Sequence, residues 1–531
     1  MTAPGGEQDG AWADVRDGQL VTVARNVGTR YLAMAVETVL GLVMLPFNLS
    51  HLGQSEYGLW VLMGSLTAHF STLELGYGSG LVKFVAHYRA QRDPRALNEI
   101  ASTLFFVFSG LGVVAYSVVL GVAFNLDHLF KITPEQAHTG QWVLMIIGIY
   151  VALNFAFSVY GGIISGFQRY DVNNAQSIIT SVVIALTNVM VLSAGYGLIT
   201  LVATTTSVRV LSYFIYRRNA FRVFPALQIR PSLFRRSRLR EVTGFSIYAT
   251  IIDWANKLNY QMDQVVIGVF LGSAWVAVWA PAERIISGVQ RLTNQLNGVL
   301  FPTIVDSDAA RRRERLQQIL LQGTRLSLAM VVPVGVTLMM LADPLVHAWL
   351  GRNASKVAGC IPVIQILAVA VTIRVGNATG NTLLKGAGKH RLVAWVNLGT
   401  GVVNAVLSIL LIHTFGLTGV AWGTLIPIAF SAIFILFPSA CRRVGVPVSS
   451  AVIQSVVPAV WPAFVVAGLL AVTRHISSGT LLAVAFQAAL GGVVYLALFF
   501  TVAIGKRDRA DYVAKVAQVT RRRRLQPAGG L

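Results

Sequence analysis

His51-Leu52-Gly53-Gln54-Ser55-Glu56-Tyr57-Gly58-Leu59-Trp60 returns 219 residues later as Leu271-Gly272, with Ala277 and Trp279 in the places of Gly58 and Trp60. Gly197-Leu198 returns at the same offset as Gly416-Leu417. Between them, Gly166-Phe167-Gln168-Arg169-Tyr170 recurs loosely as Gly386-Ala387-Gly388-Lys389-His390, one residue out of phase. A Leu-Gly pair is common in apolar helices, so each match alone says little. Two matches at one offset, placed alike against the surrounding apolar stretches, point to a duplicated unit.

The unit is a bundle of membrane helices. Soluble chains carry about 25% charged residues; here the figure is 12%, with 55% hydrophobic residues and a mean hydropathy of +0.64. The apolar excess runs through the whole chain, which excludes a globular domain on a single anchor. Apolar stretches fall near 26–49, 57–81, 99–123, 141–164, 174–194 and 197–216, then near 243–270, 275–303, 318–342, 360–382, 391–413 and 417–438. Two more, near 451–473 and 479–504, lie outside the repeat. The expected fold is therefore an all-α polytopic membrane protein of about 14 transmembrane helices. Strands of a barrel would alternate apolar and polar residues, and this chain does not. The expected organisation is an N-terminal segment 1–25, an N-lobe 26–216, a basic linker 217–242, a C-lobe 243–440, a helix pair 451–504 and a basic tail 505–531. Two pseudo-symmetric six-helix lobes plus a pair are an arrangement used by proteins that rock two halves about a central site.

Basic residues orient the bundle. With the N-terminus cytoplasmic, the inner connections and both terminal segments hold 32 of the 43 Lys and Arg, with dense clusters at Arg217–Arg240, Arg311–Arg315 and Arg521–Arg524. The outer connections hold Lys131, Arg352, Lys356 and Arg474. That bias places both termini inside and requires an even number of spans. It also accounts for the net charge of +21 without nucleic acid, through topology and attraction to anionic membrane lipids. Residues 1–25 carry Glu7, Asp9, Asp14 and Asp17 and lack the basic start and short apolar core of a cleaved signal. Cys360 and Cys441 are expected on opposite faces and so unpaired. Asn353-Ala354-Ser355 fits a glycosylation sequon and is read as chance.

Leu73-Glu74-Leu75-Gly76-Tyr77-Gly78-Ser79-Gly80-Leu81-Val82-Lys83-Phe84-Val85-Ala86, with the upstream Leu52-Gly53 and Tyr57–Trp60, resembles the first hairpin of polysaccharide-repeat-unit flippases. These belong to the multidrug/oligosaccharidyl-lipid/polysaccharide exporter superfamily. The Gly166–Tyr170 turn and the Gly197-Leu198 helix start resemble it too, so the likeness covers roughly residues 20–440. It implies two six-helix lobes forming a V, a central cavity, and alternating access for an undecaprenyl-linked oligosaccharide in a bacterial inner membrane. The additional helix pair is similar in count to the fourteen-helix lipid II and polysaccharide branches.

Ionisable groups inside spans are costly and normally face a cavity or one another. Arg30 and Glu37 stand seven residues apart in the first span. The seventh carries Asp253, Lys257, Tyr260 and Gln264 as one stripe, with Asp263 beside it. The eighth carries Arg284, Arg291 and Gln295 on one face, with Glu283, Asn294 and Asn297 on flanking ones. Arg374 is followed on its face by Asn377 and Asn381, and Arg209 sits in the sixth span, where it can reach the interface. Asp253 and Lys257 also fit a self-neutralising pair, while Arg325 and Glu74 lie near cytoplasmic ends and suit snorkelling or capping. A lipid-linked sugar carries a diphosphate and many hydroxyls. Arginine gives phosphate bidentate hydrogen bonds at fixed charge, and Asn, Gln and Tyr suit hydroxyls. Arg30, Arg284, Arg291, Arg374, Asn377 and Gln295 are accordingly the candidates for head-group contact. Glu37, Asp253, Lys257, Asp263 and Glu283 are the candidates for coupling to H+ or Na+ or for gating.

Enzymatic signatures are missing from the sequence. Gly388-Lys389 lacks the rest of a Walker A loop, and no His-Glu-x-x-His set occurs. Asp306-Ser307-Asp308 imitates a glycosyltransferase metal pair, yet the longest connection, around 217–242, is too short for a nucleotide-binding domain. No cofactor or metal is expected, and no catalytic residue. The expected function is transport of a lipid-linked oligosaccharide, with polysaccharide-assembly proteins as possible partners. Three rivals make distinct predictions: an organic-cation antiporter needs an acid-dominated cavity, a glycan polymerase or ligase a large outer loop, and a scaffold indifference to cavity arginines.

Overall fold

The computed structural model describes residues 19–70, 77–243, 262–473 and 479–504, and of residues 19–24, 292–299 and 302 the backbone alone. Among the described residues the structure is all-helical, in keeping with the helical period of the sequence. The helices run α1 (Gln19–Phe70), α2 (Tyr77–Ala90), α3 (Pro94–Ala123), a one-turn α4 (Leu126–Leu129), α5 (Pro134–Gly166), α6 (Tyr170–Ser193) and α7 (Leu198–Val223). Then come α8 (262–270), α9 (Ser273–Ala309), α10 (Arg313–Leu350), α11 (Cys360–Gly376), α12 (Ala378–Gly386) and α13 (His390–Phe415). The chain ends its described part with α14 (Leu417–Phe430), α15 (Phe437–Val444), a one-turn α16 (Val448–Ala451), α17 (Val457–Thr473) and α18 (Leu481–Leu498).

Among these residues, 11 helices are long and apolar enough to cross a membrane, which makes this a multi-pass membrane protein. Large apolar side chains stand fully in the open, as at Leu482 (84% exposed) and Phe464 (74%), where only lipid suits them. Most of the expected seventh span, 243–270, lies outside the described residues. The 52 residues of α1 are not one span. Gly53 inside it takes φ 75° and ψ 174°, so two helices meet there. A straight helix of that length would measure about 78 Å, far beyond the roughly 30 Å of hydrocarbon.

The corner at Gly53 has a counterpart where the sequence repeat places it. Gly272, between α8 and α9, is also left-handed at φ 97°. Arg92, between α2 and α3, has φ 55°, and Arg311, between α9 and α10, has φ 53°, again 219 positions apart. Gln168 (φ 61°) and Gly388 (φ 75°) share the turns before α6 and α13. The duplication is thus a duplication of turn geometry. One matched pair departs from it: Gly416 has φ 58°, whereas Gly197 is extended and the left-handed residue there is Gly195 at φ 82°.

The chain forms two compact units, Met1–Arg284 with Asn397–Gly423, and Ile285–Val396 with Thr424–Leu531. In the first, α2, α3, α5 and α7 share a core that includes Leu81, Val85, Ile100, Phe108, Val159 and Ile163. Gly162 and Gly166, one turn apart on α5, lie against Leu81 and Val85, so any side chain there would push α2 away. Polar caps fix the helix starts. Asp93 accepts from the Ala96 amide before α3, and Thr133 and Gln136 form a reciprocal capping box before α5.

The basic linker is folded onto this unit. Asn98 of α3 donates to the Ala226 carbonyl and accepts from the Gln228 amide, at 2.9 Å each. Ser102 and Thr103 continue the seam by accepting the amides of Arg230 and Arg235. Beyond it, Arg238 binds Glu99 at 3.1 Å, and its Nη1 donates to Tyr88 Oη at 2.7 Å while Tyr88 donates to Glu241.

In the second unit, α10 packs with α17 and α18 around Leu328, Val332, Leu341, Val466 and Tyr495. Arg313 and Gln317 both donate to the Val444 carbonyl, closing the end of α15, and Arg443 pairs with Asp308 at 2.7 Å. Arg325 is buried, 7% exposed, in the first half of α10 and so packs within the unit instead of extending toward solvent. Cys360 and Cys441 are buried free thiols.

Candidate functional site

The face of α1 that carries Arg30 also carries Glu37 and Gly41, at spacings of seven and four. Leu32, Val39 and Val43, on the opposite face, are more than half exposed and suit lipid. Against Gly41 lies the guanidinium of Arg284 from α9, in the space a Cβ would need. Only glycine lets it approach so closely.

Around Arg284 the first unit gathers several polar groups. Gln264 of α8 donates to the carboxylate of Glu283 through its amide nitrogen. Asp263, 6% exposed, and Arg284 both act electrostatically on Glu283. Tyr57, buried in the second helical half of α1, lies within electrostatic reach of Glu283 and Arg284. A cation, two acids, an amide and a phenol thus meet where α1, α8 and α9 converge. Such a group can hold an anion on the arginine and exchange a proton or cation at the acids.

Glu37 accepts a hydrogen bond from Ser177 of α6 at 2.6 Å. Nearer the start of α1, Asn26 donates to the Gln168 carbonyl and accepts from the Asp171 amide. Arg25 and Arg169 both pair with Asp171, and Asn174 donates to Thr29. Arg30, exposed on the polar face, pairs with no carboxylate among the described residues. Arg209 does not reach an interface: it lies near the middle of α7 with its Cζ over the Tyr150 ring, 5.1 Å from the centroid.

The remaining candidates belong to the second unit. Arg291 is exposed on α9. Arg374 stands in the last turn of α11, and Asn377 follows at the break between α11 and α12, 6% exposed with no hydrogen-bond partner for its Oδ1 among the described residues. Asn381 Oδ1 is likewise buried and unsatisfied, one turn further along. Asp253 and Lys257, and the side chain of Gln295, lie outside the described residues. Of the residues singled out in the sequence, the structure brings Arg284, Glu283 and Asp263 together, and beside them it places Tyr57 and Gly41, which the sequence reading did not single out for the site. Tyr57 stood inside the repeated motif and had been read there as a family feature alone.

Membrane-length helices in duplicated sets, with ionisable groups among them, are the frame of a polytopic membrane transporter. More narrowly, the chain belongs to the polysaccharide biosynthesis protein family, whose model matches residues 51–358. It is 25% identical over 380 residues to the succinoglycan biosynthesis transport protein ExoT of Rhizobium meliloti (strain 1021), covering 70% of this chain and 71% of that one. Its fold is similar to that of the lipid II flippase MurJ in an inward closed conformation, with a TM-score of 0.67 and 12% identity over 90% of this chain and 98% of that one. It is also similar to that of an inward-facing multidrug resistance transporter of the MATE family and the MOP superfamily, with a TM-score of 0.64 and 15% identity over 78% of this chain and 94% of that one. These relatives are transporters and flippases rather than enzymes, as the sequence led one to expect.

Proposed function

We propose that this protein is a flippase that carries a polyprenyl-diphosphate-linked oligosaccharide across the bacterial inner membrane during cell-surface polysaccharide synthesis. The observation that carries the reading is Arg284, a permanent cation on α9, the helix the sequence reads as the eighth span, seated on Gly41 in a chain of the polysaccharide biosynthesis family. Burying a diphosphate in hydrocarbon unaided costs far more than thermal energy supplies. A wet cavity lined by arginine lowers that barrier while the lipid tail stays in the bilayer.

In this reading both termini are cytoplasmic, and the lobes 26–216 and 243–440 work by alternating access. Arg30, Arg284, Arg291 and Arg374 engage the diphosphate, and Asn377 and Gln295 the sugars. Glu37, Asp253, Lys257, Asp263 and Glu283 couple the cycle to H+ or Na+, and assembly proteins of the polysaccharide pathway receive the product.

The test is deletion of the gene followed by measurement of which leaflet holds lipid-linked oligosaccharide. Build-up on the cytoplasmic face, relieved by the wild type but not by Arg284→Ala, is expected. Even distribution across the leaflets together with retention of organic cations would instead make the protein an antiporter served by Asp263 and Glu283.

A further inference from the structure

Arg209 differs from the other intramembrane cations in its surroundings. On α7, Val202, Thr205, Arg209, Ser212, Tyr213 and Tyr216 form one stripe at spacings of three and four. Its members Val202, Thr205, Ser212 and Tyr213 are buried. The opposite side of α7 exposes Leu211 (63%), Phe214 (56%) and Ile215 (50%), side chains suited to lipid. Arg209 is exposed although it sits in the buried stripe, on the side of α7 away from Leu211, Phe214 and Ile215. Tyr216, on the same stripe, interacts electrostatically with Glu37, which brings the polar face of α1 to this place.

The guanidinium caps a column of rings. It lies over Tyr150 of α5. Tyr150 stacks on Tyr213 with centroids 5.8 Å apart and planes at 7°, and Tyr213 stacks on Phe157 at 5.3 Å. Tyr213 also donates its hydroxyl to Asn154 Oδ1 at 3.0 Å, which fixes the Asn154 amide beside the column. Among the described residues, no carboxylate pairs with Arg209, its guanidinium makes no hydrogen bond, and Asn154 Nδ2 has no acceptor. A cation held on an aromatic face, with its donors unspent, is prepared for an anion from outside the protein.

We propose that Arg209, with Asn154 and the Tyr150–Tyr213 platform, is a subsite for a carboxylate-bearing sugar of the transported head group. The charge count chooses the carboxylate over the diphosphate: a single guanidinium matches one negative charge and its two oxygens. This rests on the flippase reading and adds a substrate class to it, the acidic glycans.

Full-length protein in proteoliposomes tests it, with two synthetic probes: a polyprenyl-diphosphate disaccharide ending in glucuronate, and its neutral methyl ester. Leaflet exposure of each probe is followed with a membrane-impermeant oxidant. The wild type is expected to move the acid at least about tenfold faster than the ester, the effect of one charge-assisted contact. Arg209→Gln is expected to bring that ratio close to one, and Arg209→Lys to restore part of it. Loss of both probes equally in Arg209→Gln, or no preference in the wild type, overturns the subsite and leaves flipping intact. Failure of the wild type to move either probe removes the flippase reading itself.

Discussion

The guanidinium of Arg284 occupies the space over Gly41, where a Cβ would overlap its Cζ and Nη2. The obstacle a larger residue would meet is the far end of a flexible side chain, so it can move aside at little cost to the fold. Gly41→Val is therefore expected to dislodge the cation while leaving the thermal midpoint within a few degrees. Transport should fall by roughly 10- to 100-fold, the worth of one charge-assisted contact, matching Arg284→Ala. A Gly41→Val protein that transports normally would show that Arg284 does not act from this position.

The seam between α3 and the linker carries a second expectation. Asn98 makes two hydrogen bonds to linker backbone, each worth about 1 kcal/mol net. Asn98→Ala is expected to destabilise the first unit by about 2 kcal/mol and to open the segment 226–235. Trypsin cleavage after Arg230, Arg235 or Arg236 should quicken accordingly. A cleavage rate equal to that of the wild type would mean the seam contributes no protection.

Tyr88 gives this seam a signature in alkali. Burial, then its hydrogen bond to Glu241, pushes its phenol up to about 12, against an ordinary value of 10. The folded state holds the proton more tightly than the unfolded chain, so this contribution is fully present below pH 10 and is lost as pH rises through about 12. The thermal midpoint of the wild type should fall more steeply than that of Tyr88→Phe between these limits. Parallel curves would assign the alkaline loss to other groups.

How far the sequence could lead depended on what kind of signal each feature leaves. Span length and basic connections are written in composition, and the all-helical bundle followed from them. Gly53 and Gly272 announced their left-handed corners because glycine is cheap there; Arg92, Arg311 and Gln168 adopt the same region without any residue-type signal. Arg284, Glu283 and Asp263 were visible as charges among apolar residues. Gly41 was not, since its part is to have no side chain, and no local spacing links Tyr57 to α9. The linker was read as a charged connection because its partners, Asn98, Ser102 and Thr103, grip its backbone rather than its arginines. Arg325, read as snorkelling or capping from its place near the end of a span, is buried by packing around α10, which no local spacing shows.

The two repeated corners should respond unequally to the same change. Gly53 has open space around a Cβ, so Gly53→Ala meets only the backbone penalty of φ 75° and ψ 174°, a region almost confined to glycine, about 1–3 kcal/mol. At Gly272 a Cβ would stand 2.8 Å from the backbone oxygen of Lys131, which cannot swing away as a side chain can. Gly272→Ala must therefore shift either the corner or the connection before α5, adding an overpacking cost of about 1–3 kcal/mol. Thermal unfolding of the two variants in one detergent should rank Gly272→Ala clearly below Gly53→Ala. Equal midpoints would show that the left-handed backbone alone, and not the approach of Lys131, makes glycine necessary at both corners.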